Sequence, residues 1–199
     1  MDKGVVLITG GASGIGFAVA AQLGRAGYTV AVLGRNTQSG RQAATALCDL
    51  GIDAVGDGAD FSNYAEVASL RERLGPLSEP EILVCSAGVM SEKMSKTLRT
   101  APDEWDRVLG VNVMGVVNAL AHFAPPMVAA RSGKVIALSA CLGRFSGPGT
   151  SGGLAPYRVS KAAVNALIRN FAAETGWGTR GVLVDAVCPN HCRTPMGGP

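Results

Sequence analysis

Short β-branched runs alternate along this chain with longer segments of helical period, and that alternation constrains the fold more than any other feature. Runs near Val5–Ile8, Tyr28–Leu33, Ile52–Val55, Ile82–Cys85, Lys134–Ser139 and Val182–Val187 read as strands. Between them, apolar residues at helical spacing predict helices near Ile15–Ala26, Gln38–Leu50, Tyr64–Leu74, Glu104–Ala130 and Tyr157–Thr175. A repeated strand–helix unit brings successive strands back parallel, because the helix supplies the crossover that a parallel pair requires. The expected fold is therefore an α/β doubly wound parallel sheet of six strands with helices on both faces. No linker and no internal repeat divides the 199 residues, so one domain is expected.

Composition narrows the function classes. Apolar residues make up 47% and aromatics 5%, with 27 glycines, so the core is aliphatic and the backbone turns tightly in many places. The net charge of +3 comes from 18 basic and 15 acidic residues spread along the chain. That pattern lacks the basic stripe that nucleic acid requires. The opening "MDKGVVLITGG" is too short an apolar run for a secretory signal, and "VMGVVNALAHFAPPMVAA" is broken by Asn118, His122 and two prolines. A soluble, cytoplasmic protein without membrane or nucleic-acid partners is expected. Five cysteines without a CxxC imply reduced thiols. Cys188, His191 and Cys192 lie close together but lack a second ligand pair at zinc-site spacing, so no metal is expected.

Two motifs carry chemistry. The first strand runs into "TGGASGIG" and then a helix, where Gly10, Gly14 and Gly16 let the backbone turn sharply and approach a pyrophosphate favoured by the helix N-terminus. Further on, "PYRVSK" sets Tyr157 and Lys161 four residues apart at the start of a helical segment, on one face and with Cβ atoms about 5–6 Å apart. The glycine-rich "SGPGTSGG" at 146–153 immediately precedes that segment.

Taken together, TGxxxGxG, "SAG" after the fourth strand, "VN" in the fifth segment, a serine ending the next strand and YxxxK resemble the short-chain dehydrogenase/reductase family, in the family's order and over essentially the whole chain. "GGLAPYRVSKAAVNAL" and "RTPMGGP" look most like its carbonyl-reductase members. The resemblance implies a Rossmann-like fold and places the family's catalytic asparagine, serine, tyrosine and lysine on Asn112, Ser139, Tyr157 and Lys161. It places cofactor contacts on Gly10, Ser13, Gly14, Ile15 and Gly16, on Asp60 and Phe61, on Ser86, Ala87 and Gly88, on Tyr157 and Lys161, and on Pro189 and Thr194. From the residues alone, Asn112 and Ser139 suit hydrogen bonding within a helix and at a strand end equally well, and Asp60 suits a helix cap.

The resemblance implies reduction of a ketone or aldehyde to an alcohol, reversible as an alcohol dehydrogenase. Tyr157 would donate the proton and Ser139 would bond the same oxygen; Lys161 would hold the nicotinamide ribose, and Asn112 a water relaying protons to Lys161. A free tyrosine titrates near 10, so work near neutral pH asks for a shift of roughly 3–4 kcal/mol. A lysine charge about 4 Å away at an effective dielectric near 20 contributes about 4 kcal/mol, so a Tyr157 pKa lowered by Lys161 is expected. At the end of the second strand, where an NAD site would place an acidic residue, the chain has Gly34-Arg35-Asn36. Arg35 suits a 2′-phosphate, with Asn36 beside it as a further expected cofactor contact, which points to NADPH, with a solvated surface arginine as the alternative.

Some positions depart from the family. The usual "NNAG" reads Cys85-Ser86-Ala87-Gly88, and the usual "PG" reads Pro189-Asn190, where Asn tolerates the positive φ the turn needs. Relatives usually continue into substrate-covering helices and a seventh strand, whereas this sequence stops at Pro199. The domain at 1–199 is therefore expected to be incomplete at its C-terminus, with Val182–Val187 a sheet edge covered by further polypeptide or by a partner subunit. A homo-oligomer through the segments at 104–130 and 157–175 would follow the family. Two other readings stand beside the reductase: an NADP-binding regulatory or scaffolding protein with little turnover, and an epimerase or dehydratase on the same fold.

Overall fold

The computed structural model describes residues 3–92, 95–147, 152–194 and 196. Six parallel strands form one sheet in the order β3-β2-β1-β4-β5-β6. They are β1 (Val5–Thr9), β2 (Thr29–Gly34), β3 (Ala54–Gly58), β4 (Ile82–Cys85), β5 (Gly133–Leu138) and β6 (Val182–Val187). The order reverses direction between β1 and β4, which opens a crevice at the carboxyl ends of these two strands.

Helices α1 (Gly14–Arg25) and α2 (Thr37–Cys48) cover one face, closing a core around Val6, Ile8, Val30, Val32, Leu47 and Val84. The other face is packed by α3 (Tyr64–Leu74), α5 (Gly115–Phe123) and α7 (Ala155–Glu174), with Leu7, Leu33, Leu83, Phe123, Val135 and Ile168 at its centre. The strands β1, β2 and β4 are apolar on both sides because both sides are covered.

Two elements differ from the sequence expectation. The third strand lies at Ala54–Gly58, not Ile52–Val55. Ile52 is buried on α1, where any side chain at Gly24 would run into it. The glycine-rich "AVGDG" forms the strand because Gly56 and Gly40 of α2 let the helix lie directly on the strand backbone. The helix expected at Glu104–Ala130 is divided into α4 (Pro102–Leu109), a π turn at Gly110–Met114, α5, and α6 (Pro125–Ala130). Pro125 and Pro126 have no N–H to continue α5, so the chain restarts there. Of the glycine-rich stretch before α7, residues 148–151 lie outside the described residues.

Candidate active site

β1 delivers the chain into the glycine turn at the crevice. Gly10 has φ +66°, and a Cβ there would lie 2.7 Å from the Ala87 N and Cα, so only glycine lets this turn pass the strand end beside it. Gly14 has φ +55°, and Gly16 is pressed against the Gly10 carbonyl. Ala87 N donates to Thr9 Oγ1 at 3.2 Å, and Ser86 N donates to the Thr9 carbonyl at 3.2 Å, tying Ser86–Gly88 alongside. Ser13 caps α1 in extended backbone without a side-chain bond to its first amides. The amides of Gly14, Ile15 and Gly16 thus open the helix without a capping side chain, an arrangement suited to an anionic pyrophosphate. Thr194 lies over this turn, its side chain 3.4 Å from where a Gly14 Cβ would stand.

The four residues expected to be catalytic converge beside the crevice. Asn112, in the π turn, is fully buried. Its Oδ1 accepts from Val89 N at 2.7 Å, while Nδ2 donates to the Val89 carbonyl and to Ser160 Oγ, both at 2.9 Å. Ser160 Oγ donates in turn to the Tyr157 carbonyl at 2.7 Å, so Asn112 braces the first turn of α7. Lys161 Nζ donates to the Leu138 carbonyl at 2.8 Å and stands 5.7 Å from the Tyr157 ring centroid. Ser139, the residue after β5, donates from Oγ to Asn165 Oδ1 at 2.5 Å. A Cβ on Gly88 would be 3.3 Å from Asn112 Oδ1 and 3.7 Å from Lys161 Nζ, so Gly88 joins the glycine crevice to this cluster.

Electrostatics depart from the sequence expectation. Burial raises the Tyr157 pKa above its ordinary value, and the nearby thiols of Cys141 and Cys188 add to the rise. The lysine does not lower it: burial brings Lys161 itself down to about 8, so its amine is neutral before the phenol ionises. The phenol therefore keeps its proton at neutral pH. Cys85 is buried at the sheet centre with its thiol pushed up to about 12, which leaves no thiolate at this position.

The remaining expected contacts offer different things. Arg35 is exposed just beyond β2. Asn36 caps α2, its Oδ1 accepting from Ser39 N at 2.9 Å, so that side chain is committed to the helix. Asp60 accepts from Ser62 N at 2.9 Å and Ser62 Oγ at 2.7 Å. Phe61 is buried, with its carbonyl accepting from Asn118 Nδ2 at 2.8 Å. After β6, Asn190 takes φ +58°, the left-handed conformation expected of it after Pro189.

Sequence reasoning missed Asn165 and Arg144. Asn165 stands four residues past Lys161 on the same helix face, a spacing that could have revealed it. With Ser139, Ala140, Arg144, Ala186, Val187 and Cys188 it lines an open cleft of about 420 Å³. Among the described residues no group of three or more His, Cys, Asp or Glu could hold a metal ion, and no helix is long and apolar enough to cross a membrane.

Comparison with known proteins bears on this arrangement. A family model described as short chain dehydrogenase matches residues 4–199. The chain is 36% identical over 198 residues to the glycine betaine reductase ATRR of Emericella nidulans, covering 98% of this chain and 15% of that protein. It is 33% identical over 195 residues to the 3-oxoacyl-(acyl-carrier-protein) reductase FabG of Staphylococcus aureus, covering 96% of this chain and 75% of the relative. A solved structure described as an NAD(P)-dependent gluconate 5-dehydrogenase from Beutenbergia cavernae, with NADP bound at low occupancy, matches with a TM-score of 0.86 at 30% identity over 98% of this chain and 75% of that one. A short chain dehydrogenase/reductase from Burkholderia phymatum in complex with NAD matches with a TM-score of 0.86 at 27% identity, over 98% of this chain and 68% of that one.

Proposed function

This chain belongs to the short-chain dehydrogenase/reductase family of NAD(P)-dependent oxidoreductases, and from that premise we propose that it reduces a ketone or aldehyde to an alcohol with Tyr157 as proton donor. The observation that carries the reading is the convergence of Ser139, Tyr157 and Lys161 at the end of β5, joined through Gly88 to the glycine turn. A bound nicotinamide dinucleotide supplies the hydride. Gly10, Gly14 and Gly16 shape the pyrophosphate seat, Lys161 offers its amine to a ribose, and Asn112 holds the segment at Val89 in register with α7. Tyr157, kept protonated by burial, gives its proton to the carbonyl oxygen as that oxygen gains charge. Ser139 steadies the same oxygen once its hydroxyl turns from Asn165 to the substrate.

The test is consumption of NADPH with a panel of carbonyl compounds, comparing wild type with Tyr157→Phe. The variant is expected to lose nearly all turnover while binding NADPH within a few-fold of wild type, because only the proton is removed. Substantial turnover by the variant would overturn the role given to Tyr157.

NADPH is the proposed cofactor, supported by the exposed Arg35 guanidinium beyond β2 and by the lack of an acidic side chain at Gly34–Asn36. A charge-assisted contact to a phosphate contributes on the order of 1.5–3 kcal/mol, or roughly ten- to a hundred-fold in affinity. Titration should show NADPH preferred over NADH by wild type and the preference reduced in Arg35→Ala. An unchanged ratio in the variant would remove Arg35 from the account.

A further inference from the structure

Among the described residues Arg144 is the one charged residue lining the cleft over Ser139, and no acidic residue lines it. Among the described residues no hydrogen bond or ion pair engages its guanidinium. Arg144 is exposed, and it is the turn before it that close packing fixes. A Cβ on Gly143 would come within 2.6 Å of the Lys161 carbonyl carbon, and the Gly143 carbonyl accepts from Asn165 Nδ2 at 3.4 Å. The short turn Cys141–Gly143 is thereby laid against α7, and Arg144 leaves it directly into the cleft. Ser139 and Asn165 bring to this cleft a hydroxyl and an amide suited to a carbonyl, Ala186 lends it an apolar side chain, and Arg144 adds an uncompensated cation. A guanidinium fork is always charged and matches a carboxylate with two parallel N–H donors.

We infer that the substrate of this cleft is an oxo acid: a carbonyl compound bearing a carboxylate that Arg144 holds while its carbonyl meets Ser139 and Tyr157. The inference rests on the carbonyl-reductase reading of the same site. It also assigns Arg144 the work of selecting which carbonyl compounds enter, separately from the chemistry at Tyr157.

The experiment uses the chain with saturating NADPH and oxo carboxylates whose carbonyl and carboxylate are separated by one to four carbons, each paired with its methyl ester. For at least one spacing the acid is expected to exceed its ester in kcat/KM by about ten-fold or more, carried mainly by KM, since an arginine–carboxylate contact is lost uniformly from ground and transition states. Arg144→Gln is expected to bring acid and ester within about two-fold. Added salt should weaken use of the acid and leave the ester little changed. Equal use of acids and esters by wild type at every spacing, or a preference that survives in Arg144→Gln, overturns the inference. If no pair is turned over, the reductase reading fails for these compounds. Calorimetric binding of the same acids and esters to cofactor-loaded protein then decides Arg144: acid binding lost in Arg144→Gln supports its role, and no difference between acid and ester removes it.

Discussion

Lys161 sits in a place that water barely reaches, and its pKa of about 8 is the consequence. The folded state disfavours the ammonium relative to the unfolded chain, where the lysine titrates at about 10.5. Between these values the unfolded chain binds a proton that the folded chain has released, so stability rises with pH through that window. The full penalty stands below about 8, where both states are charged, and it is gone above about 10.5. Lys161→Met removes the titration: the stability of wild type relative to this variant should rise by roughly 3 kcal/mol from pH 8 to 10.5, measured by urea unfolding at several pH values. A flat difference would mean that water reaches the amine. That Tyr157 and Lys161 share a helix face was legible in the sequence through their spacing, and so was the place of Ser139 at a strand end. The direction of the Tyr157 shift was not. A spacing of four gives proximity, whereas the charge effect depends on burial by other elements, which leaves the amine neutral before the phenol ionises.

At the scale of elements, the π turn at Gly110–Met114 is the feature that joins fold to chemistry. A regular α-helix carries its residues past a fixed face, and the widened turn sets Asn112 inward to clamp both backbone groups of Val89 and the Ser160 hydroxyl. Asn112→Ala would leave the Val89 amide and carbonyl without these partners in a buried site. The expected cost is about 2–4 kcal/mol, seen as a lower Tm, together with a fall in turnover as α7 loses its brace. Unchanged Tm with lost turnover would instead assign Asn112 to chemistry alone. The sequence announced a helix across this region because its apolar period continues through the turn, and neither a π turn nor a restart at two prolines disturbs that period strongly. The third strand was misplaced for the opposite reason. Its glycines are unfavourable for a strand in isolation, and only the close approach of α2 makes them suitable. Strands whose apolar side chains make the packing were legible, and the one whose packing needs missing side chains was displaced.

Across the whole molecule, the two faces of the sheet are covered unequally. Opposite α7, the face carried by Ile8 on β1 and Val84 on β4 continues by register into Ile136 and Asp185, with Leu183 and Val187 flanking on β6. Over β1, β2 and β4 the core of α1 and α2 closes this face, but Leu183 remains 46% exposed and Val187 42% exposed on a strand with one edge unpaired among the described residues. Apolar side chains beside free backbone donors and acceptors are the combination that invites another chain to add. The 199 residues studied in isolation are therefore expected to self-associate, with light scattering giving a mass that grows with concentration. Lysines at both positions, Leu183→Lys with Val187→Lys, place charge on that surface without touching the side of β6 that packs on α7, where Val182 is buried. The double variant should shift the chain toward monomer while keeping the NADPH affinity, since the glycine turn lies at the β1–β4 crevice and not at this edge. A wild-type chain that stays monomeric at every concentration would show that the twist of β6 and its Asp185 already suffice to protect the edge.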